Sequence, residues 1–310
     1  MKTLKHHGDA LSPRIVSVAT RSRGWLTTLT PGRNVVEELT AKLREMGTDS
    51  GYVELFSGNY APVSYCVPAG GDTERAMSFS EARKVDRAEL VYGAVTVGLR
   101  DDAPFIHSHC LWLDEEQRQL GGHLWPETVS GDPAPRAAIY GIYGARWTST
   151  DDPETRMPVF TPSIDEGNPM PNHTPATGYL ETVVARVRPN EDLTAAIVAV
   201  CKEHDFTSAI VRGGIGSLVG GTLFDRVTGG HILVDGPGTE VISIMGDITR
   251  VDGKYQTSMS CTLVDRHGVV HAGELVPGEN AVAVTFELII QNISRPLGHQ
   301  HLSTETHKEH

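Results

Sequence analysis

Apolar positions in this chain recur at two periods, and the order of those periods runs through twice. Residues 24–29, GWLTTL, predict a short strand. A turn at TPGRN leads into Val35, Val36, Leu39 and Leu43, the three-to-four spacing of a helix with one apolar face. Apolar runs at YVELF (52–56), AELVYGAVTVG (88–98) and AAIYGIYG (137–144) predict further strands. The second half repeats the order. TVVARV (182–187) and the turn RPNED precede a helix on Leu193, Ile197 and Val200, followed by strands SAIVR (208–212), TEVISIMGDIT (239–249) and AVAVTFELII (281–290). One main helix against many antiparallel strands predicts an α+β fold in each half.

The repetition extends to individual residues. HSHCLWLDEEQRQLGGHL (107–124) aligns without gaps to SMSCTLVDRHGVVHAGEL (258–275), pairing Cys110 with Cys261, Asp114 with Asp265, Gly122 with Gly273 and Leu124 with Leu275, all 151 apart. Glu89 and Glu240, and Pro126 and Pro277, share that offset, while ELTAKL (38–43) aligns to DLTAAI (192–197) at an offset of 154. The register predicts a tandem duplication: a first domain at 14–147, a linker at 148–177 rich in Pro, Asp, Asn and Thr, a second domain at 178–292 and a tail at 293–310. The first dozen residues and the segment 295–310 are expected to be poorly ordered.

Composition narrows the function. The 310 residues suffice for two domains, and 39% hydrophobic with 21% charged residues is the balance of a globular protein. A protein that binds DNA phosphates usually carries a basic face; a net charge of −12 with no run of more than two Lys or Arg leaves room only for a local patch, so nucleic acid is an unlikely partner on this reading. No segment has the length and apolarity of a membrane span, and the opening MKTLKHHGDALSPRIVS lacks the features of a secretory signal, so a cytoplasmic location is expected. Four cysteines without a Cys-x-x-Cys pair do not make a disulfide scaffold or a zinc finger.

The histidines carry the clearest chemistry. Alternation in a strand puts His107 and His109 on one face. A hairpin turn near Glu116 brings His123 opposite His109, where Cβ atoms lie about 4.5–5.5 Å apart. Three neutral imidazoles then converge on one divalent cation, zinc by preference, with an open position of the catalytic type. The alternative is a polar cluster that hydrogen-bonds at a subunit interface. Gly213, Gly214, Gly216 and Ser217 follow a strand and could present backbone N–H groups to an anion, or else form a tight turn. Arg212 could clamp a carboxylate or stand as a surface charge. Glu127 is the nearest carboxylate for general-base work, or a solvated loop residue. His299 and His301 lie in the tail, where no function is expected of them.

His107-Ser-His109 with Gly121-Gly-His123-Leu in the first half, and Arg212-Gly-Gly-Ile-Gly-Ser217 in the second, resemble the plants-and-prokaryotes conserved (PPC) domain over about residues 24–145 and 178–291. The resemblance implies two tandem domains, each a mostly antiparallel sheet with one helix, and a tendency to trimerise. The AT-hook that binds DNA in plant members has no counterpart here. Each half keeps part of the pattern: the second has Ser258, Ser260 and Glu274 in place of the histidines, and the first has FSGNYAP (56–62) near the position of the glycine loop. A homotrimer of two stacked three-domain rings is expected, with the sites near domain boundaries. The expected function is metal-dependent hydrolysis, of lactonase type, of a small carboxylated metabolite in aromatic or organic-acid catabolism. A DNA-associated or regulatory binding protein, and a metal-dependent decarboxylase or tautomerase, are the alternatives.

Overall fold

A computed structural model describes residues 1–172 and 178–294. The first copy runs β1 (Ile15–Thr28), α1 (Val35–Glu45), β2 (Gly51–Phe56), β3 (Asn59–Tyr60), β4 (Val63–Cys66), β5 (Pro68–Gly70), β6 (Met77–Phe79), β7 (Arg83–Val85), β8 (Ala88–Arg100), β9 (Ala103–Leu113), β10 (Gln119–Leu124) and β11 (Arg136–Tyr143). A hairpin of β12 (Ala145–Asp151) and β13 (Pro158–Ile164) follows. The second copy runs β14 (Leu180–Val187), α2 (Leu193–Glu203), β15 (Ser208–Leu218), β16 (Gly221–Asp225), β17 (Gly230–Val234), β18 (Thr239–Val251), β19 (Lys254–Val264), β20 (Val270–Leu275) and β21 (Val282–Asn292). The architecture is α+β, dominated by antiparallel strands with one helix per copy. All but β5 and β6 belong to a single 19-stranded sheet.

The two copies share element boundaries. Strands β8, β9 and β10 become β18, β19 and β20 when 151 is added to each residue number. The helices obey a different offset from the one the sequence alignment suggested. Each starts at a side-chain N-cap, Asn34 onto the amide of Glu37 and Asp192 onto that of Ala195, so they lie 158 apart rather than 154. The buried stripe agrees: Val35, Leu39 and Leu43 occupy the places of Leu193, Ile197 and Cys201. Glu38, which the alignment had matched to the N-cap Asp192, sits inside the first turn and accepts from the amide of Thr30 at 2.8 Å. Burial of a periodic face and capping of the first N–H groups fix a helix; a short run of similar letters does not.

Strand β1 joins the copies. It pairs with β11 through Arg21–Thr28 and with β14 through Ile15–Ser22, so the sheet continues from one copy into the other. A boundary core of Tyr52, Ile142, Trp147 and Phe160 packs against Val184 and Ile289, and a smaller one joins Leu111 to Ile242 and Val264. Each large side chain buried there contributes about 1.5–3 kcal/mol.

Two expectations are corrected by this packing. The first part of the expected linker, 148–164, is the β12–β13 hairpin, which lies beside β8 through Thr148 and Leu99 and buries Trp147 and Phe160. The first dozen residues are held rather than loose: the Leu4 amide donates to Asn190 Oδ1 at 2.7 Å and the Gly8 amide to the Glu154 carbonyl at 3.1 Å. In both, backbone groups find partners that the polar composition did not foretell. Residues 173–177 of the expected linker and 295–310 of the tail, including His299 and His301, lie outside the described residues. Among the described residues, no helix is long and apolar enough to cross a membrane.

A candidate metal centre between the two copies

Strand alternation and one tight turn assemble three imidazoles. His107 and His109 project from the same face of β9, and His109 stands opposite His123 in the β9–β10 ladder. The Asp114 carboxylate shapes the turn by accepting from the amides of Glu116 and Arg118 at 3.1 and 2.8 Å. On its other side β10 meets β4, with His123 opposite Cys66. A Cβ at Gly122 would come within 2.5 Å of the Cys66 carbonyl oxygen, so only glycine lets β4 approach the histidine hairpin this closely. The three rings lie 4.8, 5.1 and 5.3 Å apart between centroids, and one nitrogen from each falls within 4.8 Å of the others.

The hydrogen bonds leave two lone pairs facing each other. His107 Nδ1 donates to Glu287 at 2.9 Å, and His109 Nδ1 donates to the Val241 carbonyl at 3.0 Å. Neutral rings protonated at Nδ1 carry lone pairs at Nε2, and the two Nε2 atoms are 3.2 Å apart. Two lone pairs at that distance repel unless a proton or a metal ion lies between them. Nitrogens bound tetrahedrally to one zinc ion, about 2.0–2.1 Å each, are about 3.3 Å apart. His123 Nδ1 is buried without a hydrogen-bond partner. Burial and the neighbouring His107 and His123 hold His109 well below the ordinary imidazole range, and burial, with His107 beside it, holds His123 down to about 3. These rings stay neutral at physiological pH, the state a metal requires. The donor set therefore fits a divalent cation, and Glu287 takes the place of the carboxylate that commonly orients a metal-bound histidine.

The second copy closes the site. A cavity of about 260 Å³ opens on the three histidines, with apolar walls from Phe79, Phe105, Met157, Val159, Phe160 and Val284. Glu240 and Glu287 of the second copy line it as well. Glu240 is 1% exposed, and neither of its carboxyl oxygens has a hydrogen-bond partner. Its Oε1 is 3.6 Å from His109 Nε2, and burial pushes its carboxyl well above the usual carboxylate range. Ser149, on β12, adds a buried hydroxyl with no partner.

Comparison with known proteins adds the family. Residues 175–294 match the family model described as the Plants and Prokaryotes Conserved (PCC) domain. The match spans the second copy. No curated protein matches the chain. Among solved structures, the chain is similar to a candidate DNA-binding protein from Ralstonia eutropha JMP134 (22% identity, 44% of this chain and 88% of that one, TM-score 0.35). It is also similar to a metal-containing protein from Archaeoglobus fulgidus (17% identity, 52% and 99%, TM-score 0.37). A third is a plant- and prokaryote-conserved protein from Pyrococcus horikoshii (14% identity, 48% and 97%, TM-score 0.34). The description of the Ralstonia protein corrects the expectation that set nucleic acid aside. Net charge sums over a whole surface and says nothing of a local patch, so −12 does not exclude such a partner.

The remaining sequence candidates divide. Gly216 and Ser217 of the second copy line the cavity; Gly213 and Gly214 do not. All four lie in strand β15 rather than in a loop, and β15 pairs with β18 on one side and β21 on the other. Gly216 sits in both ladders, Gly213 and Gly214 pair with β21 alone and Ser217 with β18 alone, so the segment is a strand and not an anion nest. Gly213 serves packing: a Cβ there would fall 2.1 Å from the Tyr52 hydroxyl of the first copy. Arg212 does not line the cavity. It is hydrogen-bonded to the buried Glu54 and lies 4.7 Å above the Tyr140 ring, so its charge is committed to the boundary between the copies. Glu127 is exposed and does not line the cavity either, because β10 ends at Leu124 and the chain turns away. Neither Glu287 nor Ser149 stands out in the sequence, and Glu240 does so only as the counterpart of Glu89. A lone acidic residue inside an apolar strand, as in TEVISIM and TFELII, was the available signal.

Proposed function

We propose that this protein binds a divalent metal ion, zinc by preference, at His107, His109 and His123, and takes a small organic ligand in the adjoining cavity. The observation that carries this reading is the pair of Nε2 lone pairs held 3.2 Å apart by acceptors on both Nδ1 atoms. A bound ion would leave a position open toward the cavity, where it would act as a Lewis acid on a ligand oxygen or on water. Glu287 orients His107, the Val241 carbonyl orients His109, and the apolar walls exclude bulk water. Hydrolysis of a lactone gains no support from the residues around the cavity, since Glu127 and Arg212, proposed for base and clamp, are elsewhere.

A second reading, DNA-associated or regulatory binding, is favoured over hydrolysis by the PCC match at 175–294 and accords with the description of the Ralstonia protein. The two meet if the metal centre senses a ligand for a DNA-associated protein. Elemental analysis of the purified chain tests the metal: about one equivalent per chain supports the centre, and none sinks it. Duplex DNA binding that weakens steeply with salt would support the second reading; no shift at low salt would remove it.

A further inference from the structure

The Glu240 carboxyl is the least satisfied polar group at the cavity. Both oxygens are buried, neither has a partner, and both belong to a side chain that lines the ligand space beside His109. A buried group without a hydrogen bond costs about 1–3 kcal/mol, and native structures keep few of them without a reason. Fold symmetry is not the reason. The counterpart in the first copy, Glu89, occupies the matching position in β8 and is exposed. The second copy buries its own glutamate against the histidines of the first.

We infer that Glu240 selects the ligand: the cavity takes a small molecule with an apolar body and a hydroxyl or amine group that donates its hydrogen to this carboxyl. The inference rests on the reading of the cavity as a ligand site. A ligand carboxylate has no buried arginine or lysine to pair with at the Glu240 end of the cavity. Among the described residues, the one arginine or lysine side chain that lines the cavity, Arg75, is exposed. The walls supply the remaining contacts, and about 260 Å³ admits a single substituted ring. The partnerless hydroxyl of Ser149 offers a second polar contact for the same molecule.

The test uses the full chain and four probes that share one ring: benzyl alcohol, benzylamine, toluene and benzoate. Calorimetry should give at least tenfold tighter binding of the alcohol or the amine than of toluene or benzoate. Glu240→Leu should abolish that preference, and Glu240→Gln, which keeps one acceptor, should retain part of it for the alcohol. The ligand-free melting temperature of Glu240→Leu should rise by a few degrees, because an unsatisfied carboxyl has been removed. A wild type that binds none of the probes, or prefers toluene or benzoate, overturns the inference. So does a preference that survives Glu240→Leu, or a fall in melting temperature showing that the carboxyl supports the fold. Metal content is read in parallel. Its absence would remove the metal centre, whereas the change in probe preference between wild type and Glu240→Leu reports on Glu240.

Discussion

His107 and Glu287 tie the two copies together by a hydrogen bond of 2.9 Å that is also part of the candidate metal centre. Glu287 comes from β21, where the matching residue of β11 in the first copy is Arg136, 151 positions earlier. An acidic residue at this place in one copy alone means that the copies have complementary tasks. The first supplies the imidazoles, and the second supplies the groups that orient them and close the cavity.

Glu287→Ala should lower metal affinity about 10–100-fold while leaving the three histidines in place, the usual cost of losing a carboxylate behind a metal-bound histidine. Competition with a chelator of known affinity measures it. An affinity equal to wild type would show that His107 is held by its strand alone.

His109→Ala should leave the purified chain without bound metal and still folded, since His109 is one of three converging ligands and its strand is held by two ladders. Elemental analysis together with circular dichroism decides this. Retained metal would move the centre away from these residues.

The metal-free protein should lose stability as pH falls from about 6.5, and the sign follows from the two depressed histidines. In the folded chain His109 and His123 resist protonation, His123 down to about 3, while in the unfolded chain both titrate near 6.5. Between those values the unfolded state binds more protons, so acid favours it. Glu240, pushed upward by burial, works the other way: its contribution is full below the ordinary carboxylate value and is lost as pH rises. Melting curves in chelator from pH 7 to pH 4 should therefore fall less steeply for His123→Ala than for wild type. Equal slopes would mean that the cluster does not resist protonation.

Arg212→Ala should destabilise the fold by about 2 kcal/mol and leave metal content and probe binding unchanged. Glu54, 2% exposed, would lose the arginine that neutralises it, while the one-third exposure of Arg212 keeps the loss below that of a fully buried pair. Chemical denaturation gives the stability change. A selective loss of ligand affinity would restore Arg212 to the site that its position in the structure denies it.

The duplication, the α+β class and the histidine hairpin were legible because each depends on local patterning. A period of two put His107 and His109 on one face, a hairpin turn near Glu116 brought His123 opposite His109, and the constant spacing between Cys110 and Cys261 marked the repeat. The offset of 154 for the helices failed because a four-letter likeness competed with capping, and Asn34 and Asp192 decided the true register.

What sequence alone determined, then, is the content of each copy: which residues alternate, which cap, and which three imidazoles share a hairpin. Tertiary structure decided how the copies face each other. Strand β1 pairs with strands of both copies, β18 lies beside β9, and the first part of the supposed linker folds into a wall of the cavity. The relations between the copies join residues more than 100 positions apart, as in the bond from His109 to the Val241 carbonyl. Periodicity acts over a few residues and carries no information about such pairings. They follow from the burial of two apolar faces against each other, and that burial left Glu240 inside the protein and Glu127 outside it.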